Sequence, residues 1–219
     1  MPETSRQDVS NASRLDSEES HRSGATTAGD VPLLAVTPSW RTACGRLGSN
    51  RSGLFHSKSW LSVAFPKDFK ELIGLFNKNS VEYLIVGGYA FGVHVEPRAT
   101  KNLDLFIRSN LRNSEAVWNS LARLGATLAS YSPEDFRDGE STIQIGNEPN
   151  RIDIIQKIDG VTFDEAWKDR VLGEIDGELP VSLISRERLL QNKRAAARPR
   201  DLADAHEIEE AGKEIRATP

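Results

Sequence analysis

The sequence predicts an α/β (α+β) fold, in which helices pack on a small mixed β-sheet between a disordered N-terminal tail and C-terminal helices. Two observations indicate this class. Short apolar runs rich in strand-forming residues lie between segments of helical periodicity, and two helical segments follow the last strand. The order lacks the regular strand–helix–strand alternation of a doubly wound sheet, so a small mixed sheet is favoured.

The chain of 219 residues divides by composition into a tail, residues 1–60, and one domain, residues 66–214. The tail is rich in serine, mixes charges of both signs and shows no lasting helix or strand period. We expect it to be disordered, because it buries too little apolar surface to offset the entropy of ordering. Either a genuine flexible tail or an upstream start codon would explain it.

Charge and apolar runs limit the classes of function. The net charge of -4 provides no global attraction for nucleic acid or membranes. Cys44 is the only cysteine, which fits a reducing compartment, and no apolar run reaches the roughly 20 residues that span a bilayer. We expect a soluble cytoplasmic protein without a membrane partner.

The domain begins with a helix and a buried strand joined to a glycine turn. Pro66 suits the first turn of that helix. Its apolar residues recur at i, i+3, i+4 and i+7: Phe69, Leu72, Ile73 and Phe76. Residues 82–86 then form a continuous apolar run typical of a central strand, Gly87-Gly88 turns the chain, and a short helix covers 89–95.

The rest of the domain reads as a second strand, a helix closed by Gly125, a hairpin and further helices. The remaining predicted strands are 103–107, 142–145, 151–156, 171–175 and 181–183. The remaining predicted helices are the one through Val117 to Leu124, 163–168, 186–197 and 200–213. Pro199 is predicted to break between the last two.

The first candidate for chemistry is the turn Val86-Gly87-Gly88, which leaves a buried strand and opens a helix. Glycine lets backbone N–H groups approach a ligand closely, and a helix N-terminus offers unpaired donors and partial positive charge. This geometry suits a phosphate. Many Gly-Gly turns only solve a packing problem, and that alternative stays open for this turn taken alone.

The second candidate is the strand that begins Asn102-Leu103-Asp104-Leu105. Because side chains alternate along a strand, Asn102 and Asp104 share one face and the two leucines share the other. The alternative is that Asp104 is only a turn residue at the head of an apolar strand.

The third candidate is Asp153, which lies between Ile152 and Ile154. An ionised carboxylate in such a strand is costly to bury unless a partner or a metal compensates it. If the strands of Asp104 and Asp153 are neighbours, both carboxylates can meet one cation, and oxygen ligands of this kind suit Mg²⁺. The alternative is a salt bridge from Asp153 to Arg151 or Lys157.

Together the three motifs resemble the signature of the polymerase-beta-like nucleotidyltransferase superfamily. That signature is a hydrophobic residue with Gly-Gly or Gly-Ser, a spacer, Asp-x-Asp/Glu and a later lone carboxylate on a strand. Residues 83–105 and 183–204 are similar to a bacterial branch akin to the abortive-infection (AbiEii-type) nucleotidyltransferase toxins. The resemblance spans roughly residues 69–210.

The resemblance implies a nucleotidyltransferase fold and a site for a nucleoside triphosphate and Mg²⁺, with two ions in the family and one or two here. By this resemblance, Gly87 and Gly88 hold the triphosphate. Asn102, Asp104 and Asp153 hold the metal, and Asp153 also helps to deprotonate the acceptor.

The same resemblance extends to residues outside the three motifs. Lys193 matches a lysine that contacts phosphates, and Asp201 and Asp204 match acidic positions that support the site. Arg98 and Thr100 match a recurrent pair just before the metal strand, and they are assigned to nucleotide binding.

The chain departs from the signature at Asn102, where an Asp is expected. An amide oxygen can bind Mg²⁺ but brings no charge, and a loss of even about 3 kcal/mol slows a reaction about a hundredfold. Glu96 and Asp159 are candidate replacements for the missing carboxylate.

Two functions follow as alternatives. The first is Mg²⁺-dependent transfer of a nucleoside monophosphate from a nucleoside triphosphate to a hydroxyl of RNA, protein or a small molecule, weakened by Asn102. The second is a catalytically impaired member of a toxin–antitoxin system that binds a nucleotide, an antitoxin or another partner protein. The sequence does not name the acceptor, the base or the oligomeric state.

Overall fold

The structure of the protein is a computed structural model that describes residues 65–217. The predicted disordered tail, residues 1–60, lies outside the described residues and stays a prediction. The helices are α1 (Lys67–Lys78), α2 (Gly87–His94), α3 (Leu111–Leu124), α4 (Phe163–Lys168), α5 (Arg186–Ala196) and α6 (Pro199–Ala217). The strands are β1 (Tyr83–Ile85), β2 (Asn102–Ile107), β3 (Thr142–Ile145), β4 (Arg151–Ile155), β5 (Val171–Ile175) and β6 (Leu179–Leu183).

The six strands form one mixed sheet in the order β3-β4-β2-β1-β6-β5. β2 pairs in parallel with β4, and β1 pairs in parallel with β6. The β1–β2, β3–β4 and β5–β6 pairs are antiparallel. The predicted small mixed sheet packed by helices is therefore confirmed, as is the hairpin of β3 and β4.

Each face of the sheet is covered by its own apolar cluster. The larger cluster joins α1 and α3 to alternate strand residues, including Leu103, Leu105, Ile152 and Ile154. The smaller one joins α2, α5 and α6 to the opposite face, through Val86, Phe106, Phe91, Leu189 and Ile208. Burying such a side chain stabilises the fold by about 1.5–3 kcal/mol. Asn102 and Asp104 alternate with the leucines of the larger cluster, so they face the side of the smaller one.

Element boundaries differ from the prediction at three informative points. α2 begins at Gly87 rather than Tyr89, so both glycines belong to its first turn. Pro199 is the first residue of α6 rather than a break, because a proline lacks only an N–H that the first helical turn leaves unpaired. The chain turns instead at Ala197, which has a φ of 51°. A 3₁₀ turn, Pro133–Phe136, was not predicted.

Within the described residues, no helix is both long and apolar enough to cross a membrane.

Asn113 of α3 ties the helix to the ends of β1 and β2. Its side-chain oxygen accepts from the Glu82 N–H at 2.8 Å, and its amide donates to the carbonyls of Glu82 at 3.1 Å and Arg108 at 2.9 Å. The Asn113 side chain is buried. Backbone groups at the strand ends would therefore lose their partners if this side chain were removed.

We predict that Asn113→Ala lowers the free energy of unfolding by about 2–3 kcal/mol, because it leaves buried backbone groups unpaired. Urea denaturation followed by circular dichroism measures this. Asn119→Ala, on the exposed face of the same helix, is the matched control and should change stability little. Equal losses in the two variants would contradict the assigned role of Asn113.

Candidate functional site

The register of β2 and β4 sets Asp104 directly opposite Asp153. Adjacent strands lie about 4.8 Å apart, and paired residues on one pleat point to the same face. Asp153 is 7% exposed, so the second carboxylate is nearly buried. The two strands are neighbours, which is the condition under which both carboxylates can meet one cation. The next pair on the same face is Asn102 opposite Arg151.

The glycine turn lies against this carboxylate pair. Gly87 has a φ of +59°, and a Cβ built on it would overlap the carboxylate of Asp104. A Cβ on Gly88 would lie 2.6 Å from the Thr100 hydroxyl oxygen. Only glycine at both positions allows the first turn of α2 to approach β2 this closely. The approach aligns Asp104 with the N-terminus of α2, as an acidic group beside partial positive charge.

The carboxyl of Asp104 has no cationic partner within salt-bridge distance among residues 65–217. Burial and the nearby charge of Asp153 raise its pKa from 3.8 to about 6. Hydrogen bonding by the Gly88 backbone and the positive charges of Lys193 and Arg151 offset part of this rise. Asp104 is therefore a carboxylate whose negative charge is only partly compensated.

Asp153 is compensated, and its partner is Arg151. The Arg151 guanidinium donates from Nε to one carboxylate oxygen at 2.8 Å and from a terminal nitrogen to the other at 3.0 Å. Such a bidentate pair is among the stronger hydrogen-bonded pairs in proteins. Lys157, the other partner considered from sequence, pairs with Glu140 instead. The burial of Asp153 is therefore explained without a metal.

The side-chain oxygen of Asn102 lacks a hydrogen-bond partner within the described part of the chain, and it is buried. A carbonyl oxygen can only accept, so burial without a donor or cation costs about 1–3 kcal/mol. This atom lies on the strand that carries Asp104, two residues away and on the same face.

A second group of charges joins the C-terminal helices to the segment before β2. Lys193 of α5 lies 2.6 Å from Asp201 and 2.9 Å from Asp204 of α6. Arg98 binds both oxygens of Asp204, at 2.6 and 2.9 Å, and stacks 3.9 Å from the centre of the Phe91 ring. Burial would raise the pKa of Asp204, but the hydrogen bonds from Arg98 and Lys193 hold it below its ordinary value.

The residues predicted for the site thus fall into two adjoining groups. Gly87, Gly88, Thr100, Asn102 and Asp104 converge with Asp153 at the glycine turn. The second group is Arg98, Lys193, Asp201 and Asp204, and it reaches the first through the charge of Lys193 beside Asp104.

The replacements suggested for the missing carboxylate do not complete the site. Across residues 65–217, no group of three or more His, Cys, Asp or Glu side chains is placed to hold a metal ion. Neither Glu96 nor Asp159 therefore forms such a group with Asp104 and Asp153. Both residues are exposed.

Arg151 is the site residue whose importance sequence reasoning underestimated. From the sequence, Arg151 enters only as one of two salt-bridge partners for Asp153. The signal was present in the spacing, because residues i and i+2 of a strand lie on one face, where a long arginine can reach a neighbouring carboxylate.

Comparisons with known proteins identify no family for this chain. No family model matches it, and no curated protein sequence matches it. One solved structure that matches is the lincosamide antibiotic adenylyltransferase LnuA with lincomycin bound. The identity is 16% and the TM-score 0.47, over 68% of this chain and 98% of that chain. At this distance the likeness assigns neither family nor function, so the site must be judged by its own geometry.

The oxygen ligands on β2 suit a hard divalent cation such as Mg²⁺, whereas those on β4 are already engaged. The orphan oxygen of Asn102 and the partly compensated carboxylate of Asp104 are oxygen ligands with unused capacity. Both oxygens of Asp153 already accept from Arg151. The residues therefore suit one cation more readily than two.

The raised pKa of Asp104 predicts a specific pH dependence of stability. Below pH 3.8 the carboxyl is protonated in both the folded and the unfolded chain. As the pH rises, the unfolded chain loses its proton first, and above about pH 6 the folded protein holds a buried charge. That charge lowers the free energy of unfolding by roughly 3 kcal/mol relative to acid pH.

We predict that Asp104→Asn, in buffer containing EDTA, raises the free energy of unfolding by up to roughly 3 kcal/mol at pH 8 and by progressively less towards pH 4. Urea denaturation across this pH range measures the difference. Glu174→Gln, exposed on the edge strand β5, is the control and should leave the curve unchanged. If Asp104→Asn has a lower free energy of unfolding than wild type at pH 8, the Asp104 charge does not destabilise the fold.

Proposed function

We propose that this protein transfers a nucleoside monophosphate from a nucleoside triphosphate to a hydroxyl group, with the help of Mg²⁺. One observation carries the proposal. Two carboxylates distant in sequence, Asp104 and Asp153, face each other on adjacent strands, and the first lies against a glycine-lined helix N-terminus. Acidic oxygens beside an anion-binding turn are what a metal–triphosphate complex requires.

The glycine turn supplies the anion-binding half of the site. The first turn of α2 contains Gly87 and Gly88, whose backbone N–H groups have no partners within the helix. The Gly88 N–H already donates to the Asp104 carboxylate. Phosphate oxygens can accept from the other N–H groups of this turn and are attracted by the helix dipole. The two glycines also let α2 pack closely against Asp104 and Thr100, so in this proposal the turn both packs against β2 and presents its N-terminus to the phosphate.

Asn102 and Asp104 would hold Mg²⁺, and Asp153, paired with Arg151, lies opposite Asp104 on the neighbouring strand. When bound, the metal ion neutralises triphosphate charge and polarises the reacting groups in a phosphoryl displacement. The protein's own residues orient the triphosphate at Gly87-Gly88 and keep the carboxylate face of β2 and β4 partly sheltered from water.

Lys193 and Arg98 provide positive charge next to the turn. Asp201 and Asp204 hold Lys193 in place and leave it one N–H that is free of these two partners. Arg98 is fixed by Asp204 and Phe91, while Thr100 packs against Gly88. In this proposal the network positions Lys193 for a phosphate, and Asp201 and Asp204 are positioning residues.

The proposed reaction is an in-line displacement at the α-phosphorus. The acceptor hydroxyl oxygen forms a bond to that phosphorus as the bond to the oxygen bridging the α and β phosphates breaks. Pyrophosphate leaves, and the hydroxyl proton passes to the carboxylate pair. The acceptor hydroxyl in this proposal belongs to RNA, protein or a small molecule.

Nucleotide binding without turnover is the second candidate function. Two observations favour it: Asn102 brings no charge to the metal, and Arg151 occupies both oxygens of Asp153. The toxin–antitoxin setting, with an antitoxin or another protein as partner, derives only from the sequence resemblance and stays part of this alternative.

We predict that Mg²⁺ and a nucleoside triphosphate together raise the melting temperature, and that the purified protein attaches label from an α-³²P-labelled triphosphate to an acceptor in a total RNA or protein extract. Asp104→Ala and Asp153→Ala should each abolish labelling, because each removes a carboxylate from the pair. Asp176→Ala, in an exposed turn, is the control variant.

The outcomes separate the two candidates. A thermal shift without labelling supports nucleotide binding without turnover. No thermal shift with any of the four triphosphates, at millimolar Mg²⁺, would contradict both.

We predict that Asn102→Asp increases labelling by about tenfold to a hundredfold, because it adds a negative charge beside the metal. Initial rates at saturating Mg²⁺ measure this. Asn110→Asp, at the N-cap of α3 and away from the site, is the matched control. An unchanged or lower rate in Asn102→Asp would show that the amide is not a weakened metal ligand.

A further inference from the structure

We propose that this site takes a single divalent cation and that the guanidinium of Arg151 is its second, built-in positive charge. The inference rests on the proposed function and specifies how that site is neutralised. It is drawn from the contrast between the two carboxylates, which occupy equivalent positions on paired strands and have different partners.

Arg151 is placed to neutralise Asp153 from within the same strand. The two side chains share one face of β4, and the contact uses both carboxylate oxygens, at 2.8 and 3.0 Å. The Asp153 side chain is 10% exposed and that of Arg151 is 25% exposed, so the pair lies at the rim of the site, where water screens it only in part. A cation at Asp153 must therefore displace a guanidinium already held by two hydrogen bonds.

Asp104 and Asn102 lack any such internal cation. No Lys, Arg or His of residues 65–217 forms a salt bridge with Asp104, and the Asn102 oxygen is buried without a donor. Lys193, whose positive charge acts on Asp104, is engaged by Asp201 and Asp204. The oxygen atoms best placed to bind a metal, those of Asn102 and Asp104, thus lie on β2 next to the glycine turn.

Asn102 and Arg151 reduce the negative charge that the protein offers to cations at this site. Asp104 and Asp153 contribute two negative charges, Asn102 contributes none, and Arg151 contributes one positive charge. The net charge of one negative unit is smaller than that of two uncompensated carboxylates, so these protein groups attract a second divalent ion less strongly. The amide of Asn102, where the family signature has a carboxylate, and the positive charge of Arg151 both weaken the attraction for a second ion.

The experiment counts bound Mn²⁺ by electron paramagnetic resonance on the full chain, with α,β-methylene ATP or GTP as the non-reactive triphosphate. Wild type should bind one ion per chain in the complex. Arg151→Gln, which keeps a hydrogen-bond donor for Asp153 but removes the charge, should bind a second ion at least about tenfold more tightly than wild type. Arg151→Lys should stay at one ion.

The matched control is Arg137→Gln, an exposed arginine that pairs with Glu134 at 3.4 Å and should also bind one ion. Circular dichroism verifies that each variant is folded, and the wild-type count tests the proposal independently of any variant. Two ions in wild type, or one ion in folded Arg151→Gln, would overturn the assignment of Arg151 while the proposed function stands. If neither wild type nor any variant binds Mn²⁺ or the triphosphate analogue, the proposed function and this inference are both wrong.

Discussion

The parallel pairing of β2 with β4 is the constraint on which the rest of the site depends. It sets Asp104 opposite Asp153, although 49 positions separate them in the chain, and it holds both carboxylates at the surface of an apolar sheet. A shift of one residue in this register would turn one carboxylate into the core cluster of α1 and α3. The alternating isoleucines and leucines of both strands prevent that shift, because their burial fixes which face each residue takes.

The two carboxylates differ because of what each strand brings with it. β4 begins with Arg151, which neutralises Asp153 within one strand. β2 begins with Asn102 and lies against the glycine turn, so Asp104 meets the Gly88 N–H and a helix N-terminus instead of a side-chain cation. The C-terminal helices close the arrangement by tying Lys193 to Asp204 and Arg98. The carboxylate on β4 therefore has a side-chain cation as its partner, whereas the carboxylate on β2 has none within the described residues.

Much of the fold could be predicted from local pattern, and the site only in part. The period of Phe69, Leu72, Ile73 and Phe76 specified α1, and the alternation around Asp104 specified which residues share a face. What the pattern could not supply was the choice of partner. Asp153 had Arg151 and Lys157 within reach in sequence, and only the strand geometry decides that Lys157 instead reaches Glu140 across the hairpin.

The proposed function requires that a metal–triphosphate complex binds beside Asn102 and Asp104 of β2 and the N-terminus of α2. A crystal structure with Mn²⁺ and a non-hydrolysable triphosphate, with anomalous scattering recorded at the manganese edge, tests it most directly. We expect an anomalous peak in contact with the oxygens of Asn102 and Asp104, and phosphates beside the N-terminus of α2 at Gly87 and Gly88. A fully occupied triphosphate bound elsewhere on the chain would contradict it.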